Sequence, residues 1–328
     1  MRVLGLQGSP RLSGNTAFLL NLILEEAERQ GAVTHEIVVE KRHIEPCREY
    51  ITCETRGFCP IKDDMKSDVY ARLRAADVVI AASPVFFYNV TAQLKALIDR
   101  SQTLWARKYR LNLTDPNRAM RRGLMVSVGA TKGKNLFVGV DLTAQYFFDA
   151  VGASFHGTQY YWKIEHPGDM AAHPGVHEDV RKTVTDLLAP FKNRRRILFA
   201  CLDNAARSQM AGAFAQKMAG DRLEVLTGGS QPAEKVNPRM EEVMAEQGID
   251  MGFRVPQSVD DALLEGPPER IVTMGRGETC PTVPGAAVED WDIPDPAEGD
   301  LDLMRTIRDA IAARVGELIA KLDGESPR

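Results

Sequence analysis

The chain has 328 residues, enough for about two domains, and its 44% hydrophobic and 26% charged residues are typical of a globular protein. A formal net charge of −4, without a basic stripe or a polybasic tail, argues against nucleic acid and acidic membrane surfaces as partners. No apolar run approaches the roughly 20 residues of a membrane span, and residues 1–6 are more typical of a strand than of a secretory signal. Five cysteines, an odd number, do not suggest a disulfide framework, so we expect a cytoplasmic protein.

Strand-like and helix-like segments alternate in the first half, which predicts a parallel sheet covered by helices. The candidate strands are 3–7, 35–39, 78–82, 123–128 and 155–161. Two helical faces lie between them, one formed by Leu19, Leu22, Ile23 and Ala27 and the other by Leu94, Leu97 and Ile98. A helix over 176–188 ends this half, and Pro190 with the polar residues 192–195 predicts a linker.

The same alternation restarts after the linker. Strands are predicted at 197–200, 223–227 and 270–274, with helices at 208–218 and 238–247 and a loop over the proline-containing segment 255–268. A last helix has apolar residues every four positions, which we expect in the core: Leu303, Ile307, Ile311, Val315 and Ile319. The expected fold class is therefore α/β, with two doubly wound parallel-sheet domains at 1–192 and 195–328.

The stretch ACLDNAARSQMAG, residues 200–212, places Cys201 between a strand and a helix. Unpaired N–H groups at a helix start favour an anion and stabilise a thiolate, so this loop predicts an oxyanion site with a cysteine nucleophile. Arg207 can hold two oxygens of a tetrahedral anion, and Ser208 can donate a hydrogen bond to the sulfur. The residues expected around the anion are Leu202, Asp203, Asn204, Ala205, Ala206 and Arg207, with Asn204 suited to a left-handed position and the Asp203 side chain directed outward. The alternative is a buried core thiol at Cys201.

Three later motifs strengthen this prediction: TGGSQPAEKVNP (227–238), TMGRGETCP (273–281) and EDWDIPDP (289–296). With the cysteine loop, and in this order, they resemble the low-molecular-weight tyrosine phosphatases and the thiol-dependent arsenate reductases over nearly all of 195–328. The resemblance implies a phosphatase-like fold and makes Asp295 the general acid. No histidine follows His177, so an acidic side chain must transfer the proton. A capping or turn aspartate is the alternative interpretation of Asp295.

The reductases are favoured over the phosphatases. Cys280 stands where the reductases carry a redox cysteine, and Ala297 stands where the phosphatases carry an aromatic residue. The resemblance then implies arsenate, or another tetrahedral oxyanion, as substrate and Cys201 as nucleophile. Residues 274–276 lack the additional cysteine of many thioredoxin-linked reductases. Either Cys280 attacks Cys201 directly, or an external thiol such as thioredoxin or glutathione does so.

Three loops of the first half follow predicted strands, and ligands of open parallel sheets bind beyond the carboxyl ends of strands. The first, GSPRLSGNT (8–16), lacks the dinucleotide fingerprint but offers donors for one terminal phosphate, namely Ser9, Arg11, Ser13, Asn15 and Thr16; a merely well-capped helix is the alternative. The second and third loops, within 83–100 and 128–133, supply the residues expected to line a flavin: Pro84, Val85, Phe86, Phe87, Tyr88, Asn89 and Gly129.

Together these loops resemble the NADPH-dependent FMN reductase family, which has a flavodoxin-like fold, over about residues 1–190. The resemblance implies bound FMN, reduction by NADPH or NADH, and a homo-oligomer. Residues 46–65 contain Cys47, Cys53 and Cys59, whereas related iron–sulfur flavoproteins use four cysteines here, and Tyr50 stands where the second would be. Because a four-iron cluster needs four thiolates, we predict no metal site. A loop that shapes the flavin site or a dimer contact is favoured, and a cluster or a redox thiol is the alternative.

The two resemblances together predict a bifunctional oxidoreductase of arsenic detoxification. NADPH or NADH would reduce FMN, and the reduced flavin would regenerate the thiols used at Cys201, directly or through Cys280. Two other functions remain open: a tyrosine phosphatase joined to a flavin reductase, and a flavin or oxyanion sensor without catalytic turnover.

Overall fold

The computed structural model describes residues 1–275, 283–296 and 300–325. The chain divides into two compact units. The first comprises Met1–Asn112 and Arg118–Pro190, and the second comprises Leu113–Asn117 and Phe191–Arg328. Both units are α/β, and each contains one parallel sheet with helices around it. None of the helices in the described residues is both long and apolar enough to cross a membrane.

The first unit is built on a five-stranded sheet of order β2-β1-β3-β4-β5. Its strands are β1 (Arg2–Gln7), β2 (Val33–Val38), β3 (Val78–Pro84), β4 (Arg122–Gly129) and β5 (Ser154–Trp162). Every neighbouring pair is parallel, so all carboxyl ends lie at one edge. All five predicted strands are confirmed. The chain moves outward from β1 to β2 and then to β3 on the other side of β1, which creates a switch point where ligands of such sheets bind.

Seven α-helices belong to the first unit. They are α1 (Asn15–Arg29), α2 (Thr52–Arg56), α3 (Tyr70–Ala75), α4 (Ala92–Arg100), α5 (Gln102–Tyr109), α6 (Val138–Val151) and α7 (Val176–Leu188). The predicted apolar face of α1 is buried, as are Leu94 and Leu97 of α4, whereas Ile98 is only half-buried. The sequence analysis did not predict α6, whose buried residues include Phe147 and Phe148.

The second unit contains a four-stranded parallel sheet of order β7-β6-β8-β9. The strands are β6 (Arg195–Cys201), β7 (Leu223–Gly229), β8 (Arg270–Met274) and β9 (Ala287–Trp291), of which β9 was not predicted. Its helices within the described residues are α8 (Arg207–Ala219), α9 (Pro238–Ala245), α10 (Val259–Leu263) and α11 (Leu301–Gly324). Strand β6 is central, and the residue that ends it, Cys201, is therefore placed beside both β7 and the start of α8.

Two predictions for the second unit are wrong. The segment 255–268 is not a single loop, because Ser258 begins α10 by accepting a hydrogen bond from the N–H of Asp261 at 2.9 Å. Leu303 is not a core residue, because it is 36% exposed and the neighbouring Met304 is buried instead. The buried face of α11 continues through Ile307, Ile311, Val315, Leu318 and Leu322, while Ile319 is only half-buried.

Candidate active site and cofactor loops

The sulfur of Cys201 lies at the end of the central strand β6, 3.0 Å from Oγ of Ser208 in the first turn of α8. Cys201 is 2% exposed and Ser208 is fully buried. Nδ2 of Asn204 donates a hydrogen bond to the same Oγ at 2.8 Å. The hydroxyl proton of Ser208 is therefore free to point at the sulfur, which is the arrangement that a thiolate requires.

The orientation of the Asn204 amide follows from its other partners. Its Oδ1 accepts hydrogen bonds from the backbone N–H of Gln257 at 3.0 Å and from Nε2 of Gln209 at 3.1 Å. Because a backbone N–H can only donate, the oxygen must face Gln257 and the nitrogen must face Ser208. Asn204 also has the predicted left-handed backbone, with φ of +48°, and it is fully buried. Its side chain thus holds the loop and directs the proton of Ser208.

The carbonyl groups of the cysteine loop, residues 202–206 with Cys201, bond to segments outside it. Carbonyl oxygens of Cys201, Leu202, Asp203 and Ala205 accept from the N–H groups of Ser230, Gln231, Ala233 and Asn237 at 2.9–3.2 Å, in that order. The carbonyl of Asn204 accepts from Nε2 of Gln209 at 3.1 Å. The carbonyl groups of the loop are thus engaged by other segments, and the loop leads into the start of α8, where N–H groups without intrahelical partners favour an anion.

Arg207 and Asp295 meet in the described structure. Arg207 is buried, and its guanidinium donates to the carbonyl of Ile293 at 3.3 Å and to Oδ2 of Asp295 at 3.4 Å. The Asp295 side chain is about half exposed. The predicted nucleophile loop, guanidinium and acid are therefore brought to one place. Cys280, the predicted second thiol, lies outside the described residues, as does Ala297.

Sequence reasoning did not identify three residues that support this site. Gln209 bonds to both oxygens of Asn204, and Arg254 donates to Oε1 of Gln209 at 3.3 Å. Gln257 contributes only a backbone N–H, which carries no sequence signal. The position of Gln209 directly after Ser208 was visible in the loop motif, but its contact with Asn204 was not.

In the first unit, the three predicted cofactor loops meet at the carboxyl edge of the sheet. The N–H of Gly8 donates to the carbonyl of Ala82 at 2.8 Å, and the N–H of Val85 donates to the carbonyl of Val128 at 2.9 Å. Thr91 Oγ1 donates to the carbonyl of Gly8, which joins the first loop to the start of α4. These bonds hold the loops after β1, β3 and β4 beside one another at the switch point.

The first loop does not cap α1 with a side chain, because Gly14 is the N-cap residue. The interpretation of this loop as merely a well-capped helix therefore loses its basis. Ser9 is buried and its Oγ accepts from the N–H of Arg11 at 3.1 Å, whereas Arg11 and Ser13 are exposed. Asn15 instead bonds through its side chain to the carbonyl of His166 and the N–H of Met170, and Thr16 is buried. Asn15 thus positions a neighbouring loop.

One buried acceptor beside this loop lacks a partner among the described residues. Oε1 of Gln7 is buried without a hydrogen bond, while Nε2 of Gln7 donates to the carbonyl of Arg11 at 3.1 Å. An orphaned acceptor next to an uncapped helix start fits a ligand that carries both hydroxyl groups and a phosphate, as FMN does.

The second loop presents aromatic side chains to the outside. Phe86 and Asn89 exchange two backbone hydrogen bonds of 2.8 and 3.0 Å around a turn whose central residues, Phe87 and Tyr88, have left-handed backbones with φ of +47° and +63°. Such a backbone costs about 1–3 kcal/mol for a residue other than glycine and is typical of functional sites. Phe87 is fully exposed, and Phe86 and Tyr88 are about half exposed.

The remaining residues expected to line a flavin are less accessible. Pro84 and Val85 are half-buried, and Gly129 is buried against Leu136. The Asn89 side chain accepts from the N–H of Val90 at 2.8 Å and from Oγ1 of Thr143 at 3.0 Å. Asn89 therefore stabilises the turn from behind, and the exposed aromatic residues are the part of this loop best placed to contact a flavin.

The fold and these sites define a class of two-domain protein. The first domain is flavodoxin-like, with ligand-binding loops at the carboxyl edge of its sheet, and the second is phosphatase-like, with an anion-binding loop that begins at a cysteine. Comparison with known families agrees. Residues 1–159 match the family described as NADPH-dependent FMN reductase, and residues 196–328 match the family described as low molecular weight phosphotyrosine protein phosphatase. The chain belongs to both families, as a fusion of an FMN reductase domain with a phosphatase-like domain of the arsenate reductase type.

The relatives of both halves include proteins named as redox proteins. An iron–sulfur flavoprotein of Methanosarcina thermophila is 32% identical over 180 residues, which are 55% of this chain and 87% of that protein. A putative arsenate reductase of Halobacterium salinarum is 38% identical over 125 residues, 37% of this chain and 87% of that protein. Among solved structures, a thioredoxin-dependent arsenate reductase of Corynebacterium glutamicum aligns at 28% identity over 46% of this chain and 77% of its own, with a TM-score of 0.36.

The family supports FMN as the cofactor of the first unit, but the residues present do not fit the iron–sulfur cluster of the flavoprotein relatives. A four-iron cluster takes four thiolates. The first unit has three cysteines, Cys47, Cys53 and Cys59, with Tyr50 between the first two. Within 1–275, 283–296 and 300–325, no group of three or more His, Cys, Asp or Glu side chains is arranged to hold a metal ion.

Proposed function

We propose that this chain reduces arsenate to arsenite at Cys201, with electrons that pass from NADPH or NADH through FMN in the first unit. The hydrogen bond of 3.0 Å between Cys201 Sγ and Ser208 Oγ carries the proposal. A thiolate at a helix start is stabilised when it accepts a hydrogen bond from a hydroxyl group, and the thiolate is the form of cysteine that attacks. The arsenate reductase among the relatives of the second half supports arsenic as the element attacked.

In the first step, the thiolate of Cys201 attacks arsenic(V), an S–As bond forms, and one arsenate oxygen leaves as water. Arg207 would exchange its contacts with Ile293 and Asp295 for two oxygens of the anion. The N–H groups of the loop stabilise the negative charge. Asp295 would protonate the leaving oxygen, and its exposure allows it to be reprotonated from solvent.

The second step needs a further thiol, which attacks the sulfur of Cys201. An S–S bond forms, and the electron pair of the S–As bond stays with arsenic, which leaves as arsenite. We propose Cys280 for this thiol, or an external thiol such as thioredoxin or glutathione. FMN, when bound, supplies two-electron chemistry between the nicotinamide and the resulting disulfide. The donors of residues 8–16 would hold its phosphate, and Phe87 and Tyr88 would lie against its ring.

Oxidation of NADPH by the purified whole chain tests this proposal, in the absence of oxygen and with arsenate either present or omitted. We expect arsenate to accelerate the oxidation, arsenite to accumulate, and Cys201→Ser to abolish both effects. Ser208→Ala should slow the reaction by about 10- to 100-fold, since a hydrogen bond to a charged group contributes about 1.5–3 kcal/mol. Ser230→Ala is the matched control, because Ser230 contributes only its N–H to the loop. A rate of NADPH oxidation that is the same with and without arsenate, and the same in Cys201→Ser as in wild type, would overturn the proposal.

The family description of residues 196–328 favours a second candidate, a phosphatase. The same thiolate would then attack phosphorus, and water would hydrolyse the phosphocysteine without any electron donor. Turnover of an aryl phosphate without NADPH or an added thiol, lost in Cys201→Ser, combined with no effect of arsenate on NADPH oxidation, would favour the phosphatase over the reductase.

A further inference from the structure

Three thiols of the first unit, outside the cofactor loops, line a single cavity of about 520 Å³. Cys47 is exposed, and Cys53 and Cys59 are half-buried. The cavity lies between the segment 47–61 and residues 99–103 at the junction of α4 and α5. Burial raises the pKa of the Cys53 thiol, and the nearby Cys59, Cys47 and Glu54 groups raise it further. The three thiols therefore share one electrostatic environment.

A buried cation lines the same cavity. Arg100 is 1% exposed and forms an ion pair with Asp63, whose Oδ1 lies 3.1 Å from Nη2. Nη1 of Arg100 also donates to the carbonyl of Glu45 at 2.9 Å, so Arg100 of α4 holds both ends of the cysteine segment, defined as residues 45–63. Nε of Arg100 is buried and has no hydrogen-bond partner among the described residues. Burial lowers the pKa of Arg100, but the hydrogen bond to Asp63 and the nearby Tyr70 and Cys59 groups raise it overall, so it stays a cation.

A cavity lined by three thiols suits a soft ligand held by thiolates. A four-iron cluster lacks its fourth thiolate here. Trivalent arsenic instead forms three bonds and prefers sulfur to oxygen. It can exchange its hydroxyl groups for thiolates one at a time, so the three sulfurs need not be spaced as a metal centre beforehand.

We propose that Cys47, Cys53 and Cys59 bind trivalent arsenic as a tris-thiolate, in the cavity whose wall is fixed by Arg100 and its ion pair with Asp63. Arsenous acid and three thiols give one arsenic with three As–S bonds and three molecules of water, and no electron is transferred. The choice of arsenic rests on the proposed function, because arsenite is the product expected at Cys201. The site would retain the toxic product of the second unit on the same chain.

Arsenite binding to a Cys201→Ser, Cys280→Ser double variant tests the site in the full-length chain. This variant cannot reduce arsenate by the proposed route, so its result is independent of that activity, and three of the five cysteines remain. We expect the near-ultraviolet absorption of As–S bonds to grow to saturation at one arsenic per chain. Native mass spectrometry should show one arsenic gained and three protons lost. Free-thiol titration should lose all three reactive groups.

Single additions of Cys47→Ser, Cys53→Ser and Cys59→Ser provide the matched comparison, with circular dichroism to confirm that each variant is folded. Any arsenic bound to such a variant should keep one hydroxyl group. Its affinity should fall by more than the roughly 10- to 100-fold that loss of an outer-shell partner costs a metal site. No retained arsenic in the double variant, or unchanged binding in any single serine variant, would overturn the tris-thiolate. So would formation of a stable brown cluster with iron and sulfide.

Discussion

Gly229, the last residue of β7, lies directly behind the cysteine loop, and we expect a methyl group there to displace that loop. A Cβ on Gly229 would lie 2.6 Å from the carbonyl oxygen of Leu202 and 2.8 Å from the nitrogen of Asn204. Both are backbone atoms, and real Cβ atoms essentially never approach closer than 3.0 Å, so the loop must shift by about 0.4 Å or more. Since overpacking costs about 1–3 kcal/mol and a 1 Å misplacement at a catalytic site costs about 100-fold, Gly229→Ala should weaken oxyanion binding by about 10- to 100-fold.

Isothermal titration of the whole chain with arsenate or inorganic phosphate measures this loss without depending on electron transfer. Gly228→Ala is the matched control, because its Cβ would lie 2.8 Å from Cα of Val259 and would crowd α10 instead of the loop. Both variants should have lower thermal stability, but Gly228→Ala should retain near-native oxyanion affinity. Equal affinities for the two variants would refute the reasoning.

Three further variants address stability and the cysteine segment. Gly316→Ala in α11 places a Cβ in open space, so it should raise the free energy of unfolding of the second unit by about 0.5–1 kcal/mol, measured by urea denaturation. The pKa of Glu289 is lowered by the Trp291 indole and by the charges of Lys321 and Arg270, so the Glu289 carboxylate should stabilise the fold above the ordinary carboxyl pKa and lose this effect as pH falls through the lowered pKa. The difference in thermal midpoint between wild type and Glu289→Gln should therefore shrink over that pH range, and a difference that stays constant would contradict this reasoning. Tyr50→Cys supplies a fourth thiol, so anaerobic addition of iron and sulfide should give a brown protein, whereas Tyr50→Ser should not.

The sequence pattern predicted strands well where they are buried on both faces, as in β1 and β6, because such strands are continuous apolar runs. It failed for β9, an edge strand whose residues are mostly exposed, so pairing with β8 defines it and composition does not. It also missed α10, although Ser258 followed by Asp260 and Asp261 is a helix-start signal that the surrounding prolines obscured.

The candidate site shows the same division. The contacts among Cys201, Asn204 and Ser208 were predictable because the first and last of them are only seven positions apart and their chemistry is local. The hydrogen bond between Gln257 and Asn204 joins residues separated by 53 positions, and no sequence pattern in either segment predicts it. The selection of Asp295 as the general acid depended on resemblance, and its contact with Arg207 joins residues separated by 88 positions, which is beyond the reach of local pattern.

The cysteine loop is anchored by amides of the segment 230–237, which act whatever side chain they carry. Pro232 lies within this segment and Pro238 directly follows it, at positions that supply none of the anchoring amides. A saturation library over 230–237 should therefore be intolerant of proline at Ser230, Gln231, Ala233 and Asn237, because the imino residue has no hydrogen to give. Most other replacements should be accepted at Ser230, Gln231 and Ala233, whereas Asn237 also caps α9 through its side chain, which accepts from the N–H of Arg239 at 2.9 Å. At Ser230, Gln231 and Ala233, selection should therefore exclude proline and show little preference among the other amino acids.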